Sequence, residues 1–276
     1  MSTPPVHRPP GSLLPFVDQV YGYRAPAMPT GVHRGLPSRY LTLVVELIEP
    51  LRVSGLGAPV TAHGVVGGLH TKPALIDASG PQEGLQCALT PLGAQALLGL
   101  PAAELAGRAV DLADVVGPSA RDLLERLHDA TSWPERFAVL DAALLRRLGD
   151  GAASVPTEVA EAWRLIQATH GRVPVSRLAQ HVGWSRRHLS ERFRLVTGLT
   201  PKQSARVARF EAARSLLLSA STPSLAQVAT CCGYADQPHL AREWRELAGC
   251  SITTWLREEL PFVQDTALAP GAQLPA

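Results

Sequence analysis

The chain is poor in the features that would send it out of the cytosol or give it a prosthetic chemistry. It has only four cysteines in 276 residues, Cys87, Cys231, Cys232 and Cys250, with no paired spacing that builds a disulfide framework. They read as packed thiols of a reducing compartment, the adjacent Cys231 and Cys232 included. No apolar run reaches the roughly 18 residues that a membrane span needs. The opening MSTPPVHRPPGSLLP lacks a basic segment followed by an apolar one, so no signal peptide is expected. Enzyme signatures are missing as well. Ser79-Gly80 is not part of a G-x-S-x-G elbow, and the glycine-rich Gly64 to Gly68 does not precede a helix as a phosphate loop would. His63, His70 and Cys87 could suggest a metal, but His-x6-His has no fixed geometry on a strand and no carboxylate stands beside it. No metal, cofactor or catalytic residue is expected; His33 and His70 read as loop or ligand-pocket residues.

Charge is present but uneven. The net is +2 over the whole chain. Residues 157–260 carry 14 Lys+Arg against 9 Asp+Glu, whereas residues 1–156 carry 12 against 14. Arginine supplies 13 of those 14 cations, and its planar fork suits phosphate and guanine better than lysine does. A basic half beside a mildly acidic one is the pattern of a nucleic-acid-binding module joined to a regulatory one.

Residues 1–15 are proline-rich and are expected to be poorly ordered. Residues 16–148 read as a β-rich, then helical, domain. Tyr40 to Leu47 is strand-like, and Thr61 to Leu69 and Leu85 to Leu89 are weaker candidates. Gly, Pro and His interrupt the run as in a small barrel or sandwich. Thr90-Pro91 marks a helix start, by a capping hydroxyl and a proline at the first helical position. Further helices are expected at Ala102 to Leu105, Leu112 to Val115, Pro118 to Ala130 and Pro134 to Leu148. Gly149 to Thr157 reads as a linker, residues 158–260 as an all-helical domain, and residues 261–276 as a tail. The class is α+β.

The helical domain is organised around Ser224 to Trp255, SLAQVATCCGYADQPHLAREWRELAGCSITTW. Ser224 can cap a first helix whose Leu225, Val228 and Ala229 share one face. Gly233 stops it with a sharp turn. A second helix from about Asp236 places Leu240, Trp244 and Leu247 inward and Gln237, His239, Arg242 and Arg245 outward. The pattern recurs upstream. Leu178-Ala179 matches Val228-Ala229, Gly183-Trp184 matches Gly233-Tyr234, and Leu189, Phe193 and Gly198 match Leu240, Trp244 and Gly249. The offset moves from 50 to 51 through one extra residue, placed beside Pro238. Trp184, Phe193, Tyr234 and Trp244 stand at core spacing rather than as base-stacking groups. Two helix-turn-helix units thus flank one long helix from Pro201 to about Leu218, whose Arg206, Arg209 and Arg214 are expected to face outward.

The turn Ala229–Cys232–Gly233–Tyr234, the opening Asp236–Gln237–Pro238–His239–Leu240 and the run Arg242–Glu243–Trp244–Arg245 closely resemble the signature of the AraC/XylS family of transcription regulators. The resemblance covers about residues 158–260. It departs at Ile252, where the family usually has proline. Upstream, Leu89 to Ala94, and at the end Phe262 to Asp265, look like a poorly characterised subgroup. The resemblance implies a cytoplasmic, sequence-specific regulator that binds double-stranded DNA and works with RNA polymerase. Its N-terminal domain would take a small-molecule effector or form a homodimer. DNA contacts are expected from Arg186, Arg187, Ser190, Glu191 and Arg194 in the first unit and from Gln237, His239 and Arg242 in the second. Arg206 and Arg209 would serve as phosphate or structural contacts. Arg reads guanine O6/N7, Gln reads adenine, and Glu accepts from cytosine N4. The alternative of another class is a ligand-binding or enzymatic barrel fused to a DNA-tethering domain, which would need a nucleophilic cysteine cluster where Cys87 stands alone.

Overall fold

The computed structural model describes residues 5–149, 155–219 and 223–265. Among the described residues, ten strands form two antiparallel sheets. They are β1 (Val6–His7), β2 (Val17–Ala25), β3 (Val32–Gly35), β4 (Leu41–Glu46), β5 (Leu51–Ser54), β6 (Val60–Ala62), β7 (Gly64–Gly67), β8 (Ala74–Asp77), β9 (Gln82–Leu89) and β10 (Ala109–Asp111). The larger sheet runs β1-β2-β9-β4-β7-β10 and the smaller β3-β8-β5-β6.

Strand alternation gives the large sheet two different faces. Register places Val20, Cys87, Leu43 and Val66 side by side on one rung. These apolar residues form a core with the helices laid over that face. The helices are α1 (Pro91–Gly93), continued by a π turn over Ala94–Leu98, then α2 (Ala102–Leu105), α3 (Leu112–Val116), α4 (Ser119–Asp129) and α5 (Trp133–Gly149). Thr90 caps α1 by accepting from the Gly93 amide, as its sequence suggests. The opposite face looks toward the small sheet. Its rungs read Tyr21, Gln86, Val44, Val65 and, next to it, Gln19, Ala88, Thr42, Gly67, Ala109. A second, smaller core of Leu51, Val53, Leu56, Ala62, Val65, Ala74 and Ala109 fills part of the space between the sheets.

The start of the chain departs from the expectation of poor order. Residues 1–4 lie outside the described residues, but β1 pairs with β2. Leu13 is fully buried, and His7 stacks on Phe137 while its ring bonds Asp141 at 2.7 Å. These contacts to α5, 134 residues away, hold a stretch whose prolines alone would leave it loose. Of the expected linker, residues 150–154 lie outside the described residues, as do residues 266–276 of the expected tail.

The C-terminal part is all helical: α6 (Thr157–Ala168), α7 (Val175–His181), α8 (Arg186–Thr197), α9 (Pro201–Leu217), α10 (Leu225–Cys231), α11 (Gln237–Ala248) and α12 (Ile252–Asp265). Thr200 with Gln203, and Ser224 with Gln227, form reciprocal capping boxes at the starts of α9 and α10. α9 buries residues around most of its circumference, from Ser204 and Ala205 through Val207, Ala208, Phe210 and Glu211 to Ala213. It therefore serves both a first core of Leu178, Leu189 and Phe193 and a second of Val228, Leu240, Trp244 and Trp255.

Candidate nucleic-acid interface

The internal repeat is carried into three dimensions by its caps. α7 and α10 are both seven residues long, and Gly183 and Gly233 turn the chain after them at φ 72° and 76°. Ser185 and Asp236 then cap α8 and α11, accepting from the amides of His188 and His239. The cap-to-cap offset is already 51, so the extra residue is Ala235 in the turn and not a neighbour of Pro238. The consequence is a strict pairing along both twelve-residue helices. Arg186 corresponds to Gln237, Glu191 to Arg242, and Arg194 to Arg245.

The outer faces are open. On α8, Arg186, Arg187, Glu191 and Arg194 are exposed and Ser190 is half-buried. Arg187, 90% exposed, pairs with Glu191 at 2.9 Å along the same face. The Ser190 hydroxyl donates to the Arg186 carbonyl. On α11, Gln237 and Arg242 are exposed, and neither side chain has a partner among the described residues. His239 is half-buried; its Nδ1 accepts from the Ala235 amide and its ring meets Tyr234 edge-on at 5.3 Å. Trp184 and His188 repeat that aromatic pair in the first unit, at 4.6 Å. Phe193 and Trp244 are fully buried, Tyr234 nearly so and Trp184 partly.

Arg206 and Arg209 depart from the outward reading. Arg206 bonds Glu243 at 3.0 Å and Glu246, and Arg209 reaches Glu243 at 3.5 Å while donating to the Gly171 carbonyl. The acceptor is the nearly buried Glu243 of α11. These arginines tie α9 to α11, and Arg209 also ties the first unit to the second. Sequence reasoning missed this because Glu243 sits in a helix that reads as a free amphipathic surface.

The N-terminal domain touches both units. Gly198, the left-handed cap of α8 (φ 80°), lies so close to Ala103 and Ala106 of the α2 region that a Cβ would collide. Its repeat mate Gly249 faces Pro73, and Leu199 joins the N-terminal core. Polar contacts complete the seam. Arg39 and Ser38 hold Glu211 at 2.7 and 3.1 Å, Arg34 holds Glu258 at 2.9 Å, and His33 bonds the buried Glu259 at 2.7 Å. Between the sheets, beside this seam, is a cavity of about 290 Å³ whose lining includes Glu211, Arg214 and Trp255 of the helical domain. His70 lines it, while His63 lies elsewhere against His128, 5.1 Å between rings. Among the described residues no group of three or more His, Cys, Asp or Glu could hold a metal ion, and no helix is long and apolar enough to cross a membrane. Cys87 is buried and burial pushes its thiol far up, which makes it inert as a nucleophile. Cys232 is packed, but Cys231 is exposed.

Comparison with known proteins agrees with this geometry. A helix-turn-helix domain family matches residues 178–258, and a domain of unknown function (DUF6597) matches residues 6–111. No curated protein matches the chain. Among solved structures, an apo variant of ToxT from Vibrio cholerae aligns over 87% of this chain and 97% of its own, at 10% identity and a TM-score of 0.53. Wild-type ToxT with a bound unsaturated fatty acid covers 87% and 94%, at 10% identity and 0.50. A regulator from Chromobacterium violaceum described by its AraC-type DNA-binding domain is 28% identical over 34% of this chain and 84% of its own, with a TM-score of 0.32. The likeness to ToxT is one of fold, a β-rich domain followed by a helical one. Together with the signature residues, the matched helix-turn-helix family shows that the C-terminal part of the chain is a DNA-binding helix-turn-helix domain of the AraC type.

Proposed function

We propose that this regulator reads duplex DNA with α8 and α11 in successive major-groove segments, about one helical turn or 34–36 Å apart. The observation that carries the reading is the pairing of the two outer faces. Both helices are capped alike, are exposed on the side away from their cores, and are joined by one long shared helix. Arg186, Arg187, Glu191 and Arg194 in the first, and Gln237 and Arg242 in the second, supply the base- and phosphate-reading types. Ser190 and His239 sit on the same faces with part of their hydrogen-bonding capacity already used. Arg206 and Arg209 act as braces.

The cavity between the sheets is taken as the effector site. ToxT, which shares the fold, is seen with a bound fatty acid, and here the helical domain contributes Glu211, Arg214 and Trp255 to the cavity lining. RNA polymerase as a second protein partner and a homodimeric state belong to the same reading. The test is selection of operators from a random duplex pool by the full-length protein. Two boxes whose centres lie about ten base pairs apart are expected; a single uninterrupted box, or no enrichment, would end the two-helix reading.

A further inference from the structure

We propose that Arg172, in the turn between α6 and α7, reads the minor groove of the DNA segment lying between the two major-groove boxes, and that it selects A·T base pairs there. The inference rests on the reading of α8 and α11 in successive major-groove segments. It adds a third contact and a sequence preference that neither helix supplies.

Arg172 stands at the junction of the two units. It belongs to the first, three residues before α7 begins at Val175. Its side chain nevertheless lies along the turn of the second. A Cβ added to Gly233 would stand 3.2 Å from Arg172 Cγ and 3.5 Å from its Cδ. The matching Gly183 has no such neighbour, since a Cβ there meets nothing within 4 Å. Asp236, the cap of α11, follows Gly233 by three residues. Recognition helices touch base edges with their N-terminal residues. The stem of Arg172 is therefore laid beside the end of α11 that enters the groove.

The turn that presents it is strained and fixed. His170 has φ 49° and is the only left-handed residue other than glycine among the described residues. Such strain persists where the surroundings hold it, and it gathers at functional positions. Here the surroundings are α9. Gly171, left-handed at φ 69°, lies so close to the Ala205 carbonyl that no side chain fits. Arg209 donates to the Gly171 carbonyl at 3.1 Å. The Thr169 carbonyl accepts from the Arg172 amide at 3.0 Å and from its Nε at 3.2 Å. Backbone and stem are thus set before DNA arrives. Arg206 and Arg209 are held by Glu243, but among the described residues no carboxylate holds Arg172. The residue is exposed, and its two terminal nitrogens are without a partner among the described residues.

DNA geometry gives that cation its place. When one face of a duplex offers two major-groove segments a helical turn apart, the minor groove faces the protein midway, about five base pairs from each box centre. A fixed cation at the junction of the units meets that groove. A·T tracts narrow it and deepen its negative potential, which draws arginine in. The N2 amino group of guanine projects into the same groove and marks G·C pairs. The preference is therefore for A·T over G·C, with A·T and T·A read alike.

The test uses the full-length protein and the operator obtained by selection, with both boxes constant and the central base pairs changed. Three centres are compared: A·T, G·C and I·C, inosine being guanine without its N2 amino group. Wild type is expected to bind the A·T centre about tenfold tighter than the G·C centre, with I·C close to A·T. Arg172→Met keeps an apolar stem on Gly233 and removes the guanidinium. It should bind all three centres alike, keep its base preferences inside both boxes and show a salt slope smaller by about one. Arg172→Lys should retain only part of the central preference, because an ammonium is bulkier in its hydration than a guanidinium. An Arg172→Met protein that still prefers the A·T centre would overturn the inference. So would a wild type indifferent to the centre, or an I·C centre bound like G·C. Loss of preference inside the boxes as well would make Arg172 a structural tie between the units and overturn it too. Selection that yields no two-box operator ends the two-groove reading itself, whereas two boxes with an indifferent centre end only the role of Arg172.

Discussion

The two helix-turn-helix units share one plan and are held by different means. Their helices have equal lengths, their caps correspond, and the glycines closing α8 and α11 both rest on the N-terminal domain. Yet the position that holds Arg192 in α8, exposed and facing outward, holds Glu243 in α11, nearly buried and receiving Arg206 and Arg209. The second unit is also covered by α12, through Trp244 packed edge-on against Trp255 at 5.3 Å, and α12 is in turn bonded to Arg34 and His33 of the other domain. One unit is thus held mainly by its apolar core and the other by a core, a charged brace and a lid. The repeat specifies the two matching outer faces, and its exceptions specify how they are fixed to the rest of the molecule.

The largest expected effects are core truncations that should separate the units. Trp244→Ala and Phe193→Ala each remove a fully buried aromatic and should cost about 3–5 kcal/mol. Only Trp244→Ala should also loosen α12 and with it the seam at Arg34. Hydrogen exchange resolves this: protection lost in α12 for Trp244→Ala but kept for Phe193→Ala. A fully stable Trp244→Ala that had lost only DNA affinity would instead make Trp244 a base-stacking residue.

Next comes the brace. Glu243→Gln weakens a charged hydrogen-bond network and should cost about 1–3 kcal/mol, whereas Arg192→Gln at the repeat position should cost little. Arg206→Ala should likewise lower stability while leaving the salt dependence of DNA binding unchanged. A salt slope smaller by about one would restore it to the phosphate contacts.

The smallest effect is at the seam. Glu258 is held below the usual carboxylate range by Arg257 and by Arg34. A depressed folded value stabilises above the ordinary value of about 4.3, and that contribution fades as pH falls through the lower folded one. The melting-temperature advantage of wild type over Glu258→Gln should therefore be present at pH 7 and shrink on acidification below the ordinary carboxylate range; an advantage that is constant with pH would contradict the pairing.

The helices of both domains, their caps and the repeat were legible in the sequence because each rests on local chemistry: a capping hydroxyl, a 3.6-residue apolar spacing, a glycine turn. Strands β2, β3, β5, β8 and β10 were not, since short strands take their identity from partners far along the chain, as β2 does from β9. Thr61 to Leu69 read as one strand and is two, broken at His63, whose Nδ1 bonds the Glu46 carbonyl. The outward surface of α8 and α11 was legible from residue type and period. The inward turn of Arg206, Arg209 and Arg214 was not, because α9 is covered by two units and a sheet, and no spacing on a helix announces that its polar face meets other protein.

The most direct measurement is binding of Arg187→Ala and Arg242→Ala to a panel of single-base-pair variants of the selected operator. Alanine keeps both helices intact. Each variant should lose about 1–3 kcal/mol at the cognate site and relax preference at its own base pair, the two positions lying about one helical turn apart. If both relax the same base pair, or neither relaxes any, the two helices do not read successive grooves.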